Sequence, residues 1–128
     1  MILADHAAAV ESLLAVPGPR TADLAVGADP SGDDPSAVLE AEEAFGTDCE
    51  ALVELLTHRW GEPEVLDLTD DLVRLASGEP VPEPRRTLCA SVRVLRRWQV
   101  GDRWLGVGVG RQGDDLPFHL VAAVGDTD

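Results

Sequence analysis

Three strand-like runs, at 91–100, 103–111 and 116–124, follow one another with almost nothing between them. That closeness limits the fold more than any other feature of the chain. Gly101 and Asp102 alone separate the first two runs, a length and composition that suit a tight hairpin turn. Four residues, 112–115, separate the second and third. Antiparallel neighbours need no crossover, so the pattern predicts a β-meander.

Pairing Val100 with Arg103 and Arg111 with Leu116 sorts the side chains, because a strand alternates its sides with a period of two. One face collects Val92, Val94, Arg96, Trp98, Val100, Leu105, Val107, Val109, Phe118, Leu120, Ala122 and Val124. It is apolar apart from Arg96 and the end residues Arg103 and Arg111, and both hairpins place their apolar residues on it. This is the expected core face. The opposite face is mixed and carries Arg93, Leu95, Arg97, Gln99, Trp104, Gly106, Gly108, Gly110, Pro117, His119, Val121 and Ala123.

The front of the chain supplies helices to cover the core face. Residues 2–16 place Leu3, Ala7, Val10 and Leu14 at helical spacing before Pro17 stops the pattern. Residues 17–34 read as a loop with a short strand at 23–27. Asp34 and Pro35 form a helix start, running to Phe45 and closed by Gly46. Thr47 and Glu50 form a capping-box pattern. It opens a second helix with Cys49, Leu52, Val53, Leu56 and Trp60 on one face and Gly61 as its stop, the alternative being one kinked element. A short strand at 64–68 and a short helix at 69–77 follow. Pro80, Pro82 and Pro84 then favour an extended connector and forbid a central strand. The expected fold is α+β in one domain over 1–128. N-terminal helices pack on one face of a three- to four-stranded antiparallel sheet that ends in a C-terminal β-meander.

Charge divides at the same place. Residues 1–84 carry nineteen acidic residues against three arginines, and 85–128 carry five against seven, within a formal net charge of −14 over 128 residues. Such an excess argues against nucleic acid and anionic membranes as partners, since phosphate contacts need concentrated cations. It favours a basic protein partner; a second copy of the chain is the other candidate. All ten basic residues are arginine, which with the Ala, Val, Gly, Asp and Pro excess points to a high-GC, actinobacterial-like bacterial genome. The first sixteen residues lack a basic leader region, and no apolar run approaches the roughly 20 residues of a membrane span. The expected location is the cytoplasm. Cys49 and Cys89 lack metal-ligand spacing and read as buried thiols, with a disulfide between them left open.

No motif names an activity. Gly106, Gly108 and Gly110 alternate with apolar residues inside a strand and do not make a phosphate loop. They leave a trough flanked by Arg93, Arg97 and Trp104. Its occupant is a helix of the same chain, a partner or a small ligand. Trp104 falls opposite Gln99 and diagonal to Arg97, a placement that suits a cation–π contact. Asp29, Ser31, Asp33 and Glu40 fall at calcium-loop positions, but Asp34 stands where that loop needs glycine, which makes Asp29, Asp33 and Glu40 a weak metal candidate at most. His6, His58 and His119 are scattered, and His58 reads as partly buried. Arg96 on the apolar face either reaches water or pairs with a carboxylate such as Glu54 or Asp70.

In size, acidity and order of elements the chain resembles small bacterial accessory proteins of the toxin-neutralising or secretion-chaperone kind, though no motif carries the likeness. Three functions stay open. The first is a non-catalytic protein-binding module acting through its acidic surface or through Arg93, Arg97, Gln99, Trp104, Gly106, Gly108 and His119. The second is a small-ligand or metal-binding domain. The third is a hydrolase-type enzyme using His119 with Asp114 or Asp115. No cofactor is expected.

Overall fold

The computed structural model describes residues 3–28, 34–113 and 116–126. Its elements in chain order are α1 (Leu3–Ala15), β1 (Arg20–Val26), α2 (Pro35–Trp60), β2 (Glu64–Asp67), α3 (Thr69–Ala76), α4 (Arg85–Leu88), β3 (Val94–Val100), β4 (Arg103–Gly110) and β5 (His119–Asp126). The five strands form one antiparallel sheet in the order β1-β5-β4-β3-β2. The meander is present, the 64–68 run pairs as its fourth strand, and β1 adds a fifth beside β5.

The helix α2 links the two edge strands. At 26 residues it is about 39 Å long, enough to cross the sheet. Its start is fixed by Asp34, whose side chain accepts from Ala37 N at 2.8 Å, and by Pro35 in the first turn. Gly61, at φ 87°, ends it. The expected break at Gly46 is absent. Phe45, Cys49, Leu52, Val53 and Leu56 make a continuous stripe against the sheet, and that burial outweighs the roughly 1 kcal/mol a helical glycine costs. With Val10 of α1, this stripe covers Trp98, Leu105, Val107, Leu120, Ala122 and Val124. The core face is therefore the one that the alternation picks out.

The hairpin β3–β4 has the expected register, with Val100 opposite Arg103. In the next hairpin Gly110, not Arg111, lies opposite His119, not Leu116. Pairing has slipped by two residues, which leaves every side chain on its expected face. Val92 is the exception. Arg96 lies opposite Val107 but Val92 opposite Gly110, so one strand spends four residues where the other spends three. This bulge turns Val92 to the second face and leaves Val94 43% exposed.

That second face is the larger departure from the sequence reading. The segment after β2 folds back over it, and Leu68, Leu88, Cys89, Val92, Leu95, Trp104, Val121 and Ala123 form a second core. The sheet is covered on both sides. The glycine trough is filled by its own neighbours. A Cβ on Gly106 would stand 2.5 Å from Leu95 Cδ2, one on Gly108 2.8 Å from the Val94 carbonyl oxygen, and one on Gly125 2.5 Å from Trp104 Cε2. Large side chains thus lie flat across glycines of the adjacent strand.

Arg103 anchors the first helix. Its Nη1 donates to the carbonyls of Leu14 and Val16 at 2.9 and 2.8 Å, and its Nη2 to Gly18 at 2.6 Å. The last turn of α1 contains no basic residue, so β4 supplies the cation that a helix C-terminus favours. Arg96 pairs with Glu50 at 2.7 Å, one turn before the expected Glu54, and stays partly in water. Asp70 is on the other side of the sheet with α3. No helix among the described residues is long and apolar enough to cross a membrane.

Gly108→Ala pushes a methyl group into backbone and is expected to cost about 1–3 kcal/mol. Gly46→Ala meets nothing within 4 Å and is expected to gain about 0.5–1 kcal/mol. Urea denaturation of the two variants beside wild type checks both signs.

Candidate functional site

At one end of the sheet β3 outruns its neighbour. β2 begins at Glu64, opposite Arg97, while β3 continues through Trp98, Gln99 and Val100. The chain leaving α2 rounds this corner, and Trp98 Nε1 donates to Gly61 O at 2.8 Å, holding the turn against the first core. On the other face the 77–84 connector brings Pro82 and Glu83 close to the sheet. Between the two lies an open cleft of about 610 Å³, within the size range of binding pockets. All three tryptophans of the chain, Trp60, Trp98 and Trp104, contribute to its walls.

Arg97, Gln99 and Trp104 meet here, as the hairpin pairing predicts. The Arg97 guanidinium carbon lies 5.6 Å from the centroid of the Trp104 ring, and its Nη2 is 2.9 Å from Glu64 Oε2. One residue therefore stacks and forms an ion pair at once, which fixes its orientation. Trp104 itself is 8% exposed. One side of its ring rests on Gly125, so it is a core residue whose edge reaches the cleft, not an exposed platform. Gln99 is exposed and donates from Nε2 to Gly101 O at 2.8 Å.

The charges of the cleft are mostly committed. Arg85 Nε is 3.6 Å from Asp71 Oδ2, and Asp71 is a buried carboxylate that also meets Arg74 at 3.4 Å. Asp126 lies 3.4 Å from Arg103. Glu83 accepts from Thr87 N at 2.9 Å and from Thr87 Oγ1 at 2.5 Å. Glu62 has no ion pair among the described residues. Carboxylates are in excess at the rim, and both cleft arginines are neutralised.

The other sequence candidates lie elsewhere. Gly106 and Gly108 are buried beneath Leu95 and Val92 and line no surface. Arg93 is exposed within the bulge, its carbonyl accepting from Leu68 N at 2.8 Å, beside a second depression near Thr69 and Leu72. His119 stands over Gly110 with Nδ1 2.7 Å from Asp23 Oδ1. Its Nε2 is buried without a hydrogen-bond partner among the described residues. Asp114 and Asp115 lie outside those residues, as do Asp29 and Asp33, while Glu40 is exposed on α2. His6 is buried in α1, and His58 is exposed rather than partly buried because it falls on the solvent side of the α2 stripe. No group of three His, Cys, Asp or Glu side chains among the described residues could hold a metal ion.

Trp60, Trp98, Glu62, Glu64 and Glu83 are cleft residues that sequence reasoning missed. They come from α2, the turn after it, β2, the connector and β3, and only the end of β2 and the path of the connector bring them together. Their spacing carries no signal.

The two thiols are free and sit in different cores, Cys49 on α2 and Cys89 on the opposite side of the sheet. Burial pushes the Cys49 thiol from its ordinary 9.0 up to about 11, with Glu50 adding to the rise and Arg96 opposing it. Burial also raises Cys89, and Asp71 adds to it. Well below pH 9 both thiols are protonated, folded or unfolded. Above it the unfolded chain releases protons that the native state retains, so stability is expected to fall as pH rises from 9 towards about 11. Neither thiol is expected to react with a disulfide reagent at pH 8 until denaturant is added; rapid labelling of the native protein would show that a thiol is open.

Trp104→Ala is expected to lose about 3–5 kcal/mol because it empties part of the second core. Arg97→Gln, which breaks an exposed pair, is expected to stay within about 1 kcal/mol of wild type. Thermal and urea melts of the two distinguish a core residue from a surface one.

No protein-family model, curated protein or solved structure matches this chain.

Proposed function

We propose that the protein is a non-catalytic protein-binding accessory module that meets its partner at the tryptophan-lined cleft. The observation that carries this reading is the convergence of Arg97, Gln99 and Trp104 with Trp60 and Trp98 on one concave surface. Tryptophan and arginine are the residue types in which interface energy concentrates, particularly at the centre of a patch. Here they are held by strand pairing, an indole hydrogen bond and an ion pair, so a partner would meet a surface with little ordering left to do. The −14 net charge supports fast association with a partner of opposite sign. A small molecule is the second reading, favoured by the cleft volume. Its charged rim fits it less well, since small-ligand pockets are mostly apolar with a few placed polar groups.

The test is a photo-crosslinking side chain placed at position 99, with a second copy of the experiment at position 43, on the distant part of α2. In cells of the source organism, a discrete protein trapped from position 99 and not from 43 is the expected result. Trapping of the chain itself alone, or of the same mixture from both positions, would sink the proposal.

A further inference from the structure

From the second depression, at the end of the sheet opposite the tryptophan cleft, we infer a binding site for a small organic monocarboxylate with an apolar body. The site is independent of the protein-binding cleft.

The depression measures about 620 Å³, a ligand-sized volume. It is enclosed by α2, the start of α3, the bulge at the start of β3 and the end of β4. Its apolar lining includes Leu72, Val92, Val109 and Phe118. Leu72 is 48% exposed, so covering it is favourable.

Two features of the wall run against the local rules of the fold. The first is Gly46, which lies inside α2 and borders the depression. A Cβ there meets nothing within 4 Å, so alanine fits and favours the helix. Keeping glycine leaves the wall open at a cost in stability, a trade that function imposes. The second is Arg93. Carboxylates outnumber arginines 24 to ten in this chain, and six of the arginines are ion-paired among the described residues. The Arg93 side chain has no hydrogen bond or ion pair among those residues, and it lines the depression. Asp67 feels its charge but is turned to Thr69 N at 2.9 Å. That bond leads in lowering the Asp67 carboxyl from its ordinary 3.8, and Arg93 adds the least. The bulge puts Arg93 in this wall, and re-aiming a side chain is what bulges do beside functional sites.

Charge selects the ligand. Arg111 also lines the depression, its guanidinium carbon 4.6 Å from the Phe118 ring centroid and its Nε donating to Leu116 O at 3.1 Å. Against these two arginines the described lining holds one carboxylate, Glu42. The tryptophan cleft has the reverse balance, four carboxylates against two arginines. Carboxylate and phosphate both match the guanidinium fork. The net charge of −14 opposes a dianion more than a monoanion, which favours the carboxylate.

The probes are octanoate, octanol, octyl phosphate and octylammonium, followed in amide NMR spectra of the full chain. Octanoate is expected to shift the amides of Gly46, Gly110 and Gly113, which line the depression, and to leave Gly61 and Gly101, at the other end of the sheet, in place. Arg93→Gln is expected to weaken octanoate binding roughly tenfold. Arg20→Gln, an equal change of charge at the far end of β1, is expected to change it less than about threefold. Gly46→Leu, a good helix former set in the open wall, is expected to abolish octanoate binding while raising the urea midpoint.

Equal binding of octanol overturns the carboxylate, as does equal or tighter binding of octyl phosphate. Equal binding of octylammonium overturns the sign of the site. The site itself falls if octanoate moves no glycine amide or moves both groups alike, or if Gly46→Leu binds as wild type does. None of these results touches the crosslinking from position 99, which tests the tryptophan cleft alone.

Discussion

Everything on the second face of this sheet depends on side chains lying down on glycines. Gly106, Gly108 and Gly125 have no Cβ, and Leu95, Val92 and Trp104 lie across them. With alanine there, those side chains would have to stand upright or shift aside, and α3 and α4 could not approach closely enough to bury Leu68 and Leu88. The glycines weaken the strands locally, since they pack nothing of their own. The interlock returns that loss by letting a thin cover of short helices seal a core that longer elements would otherwise be needed to close.

The charge asymmetry along the sequence has a structural part. Glu50 with Arg96, Glu64 with Arg97, and Asp71 with Arg85 each join an acidic residue of 1–84 to an arginine of 85–128. Exposed pairs of this kind contribute little energy apiece. Their use is in alignment: one sets α2 on the core face, one sets the register of β2, and the buried one ties α3 to α4. The surplus carboxylates remain at the surface and in the cleft. The two sheet edges show a related economy. β2 is only four residues long and bounded by Glu64 and Asp67, and β1 carries a register shift between Asp23 and Ala25. Short, charged or bulged edges discourage unwanted strand pairing.

How much of this was legible follows from the range of each signal. The meander, the core face, the start of α2 at Asp34 and its end at Gly61 are local matters of alternation, turn length and capping, and they read directly. The continuity of α2 through Gly46 did not, because a capping pattern at Thr47 competes locally and only the tertiary stripe overrules it. The second core was hidden for a different reason. Helices of eight and four residues give too few turns for periodicity to show, and three prolines made their connector look like a linker. The bulge at Val92 is invisible to a strict period of two. In the cleft, Arg97, Gln99 and Trp104 were found because strand pairing places them; Trp60, Glu62 and Glu83 depend on how separate segments turn a corner.

The topology also bears on how the chain is made. β1 pairs with β5, whose residues lie about a hundred positions further along, and α1 is held by Arg103 of β4. During synthesis the front third of the molecule therefore emerges with neither its strand partner nor its anchor. Its acidity then has a use independent of any binding: a strongly charged segment stays hydrated and resists collapse while it waits. β1 and α1 can dock only after β4 and β5 have been made, so the last step of folding is expected to be slow, the kinetic signature of contacts distant in sequence.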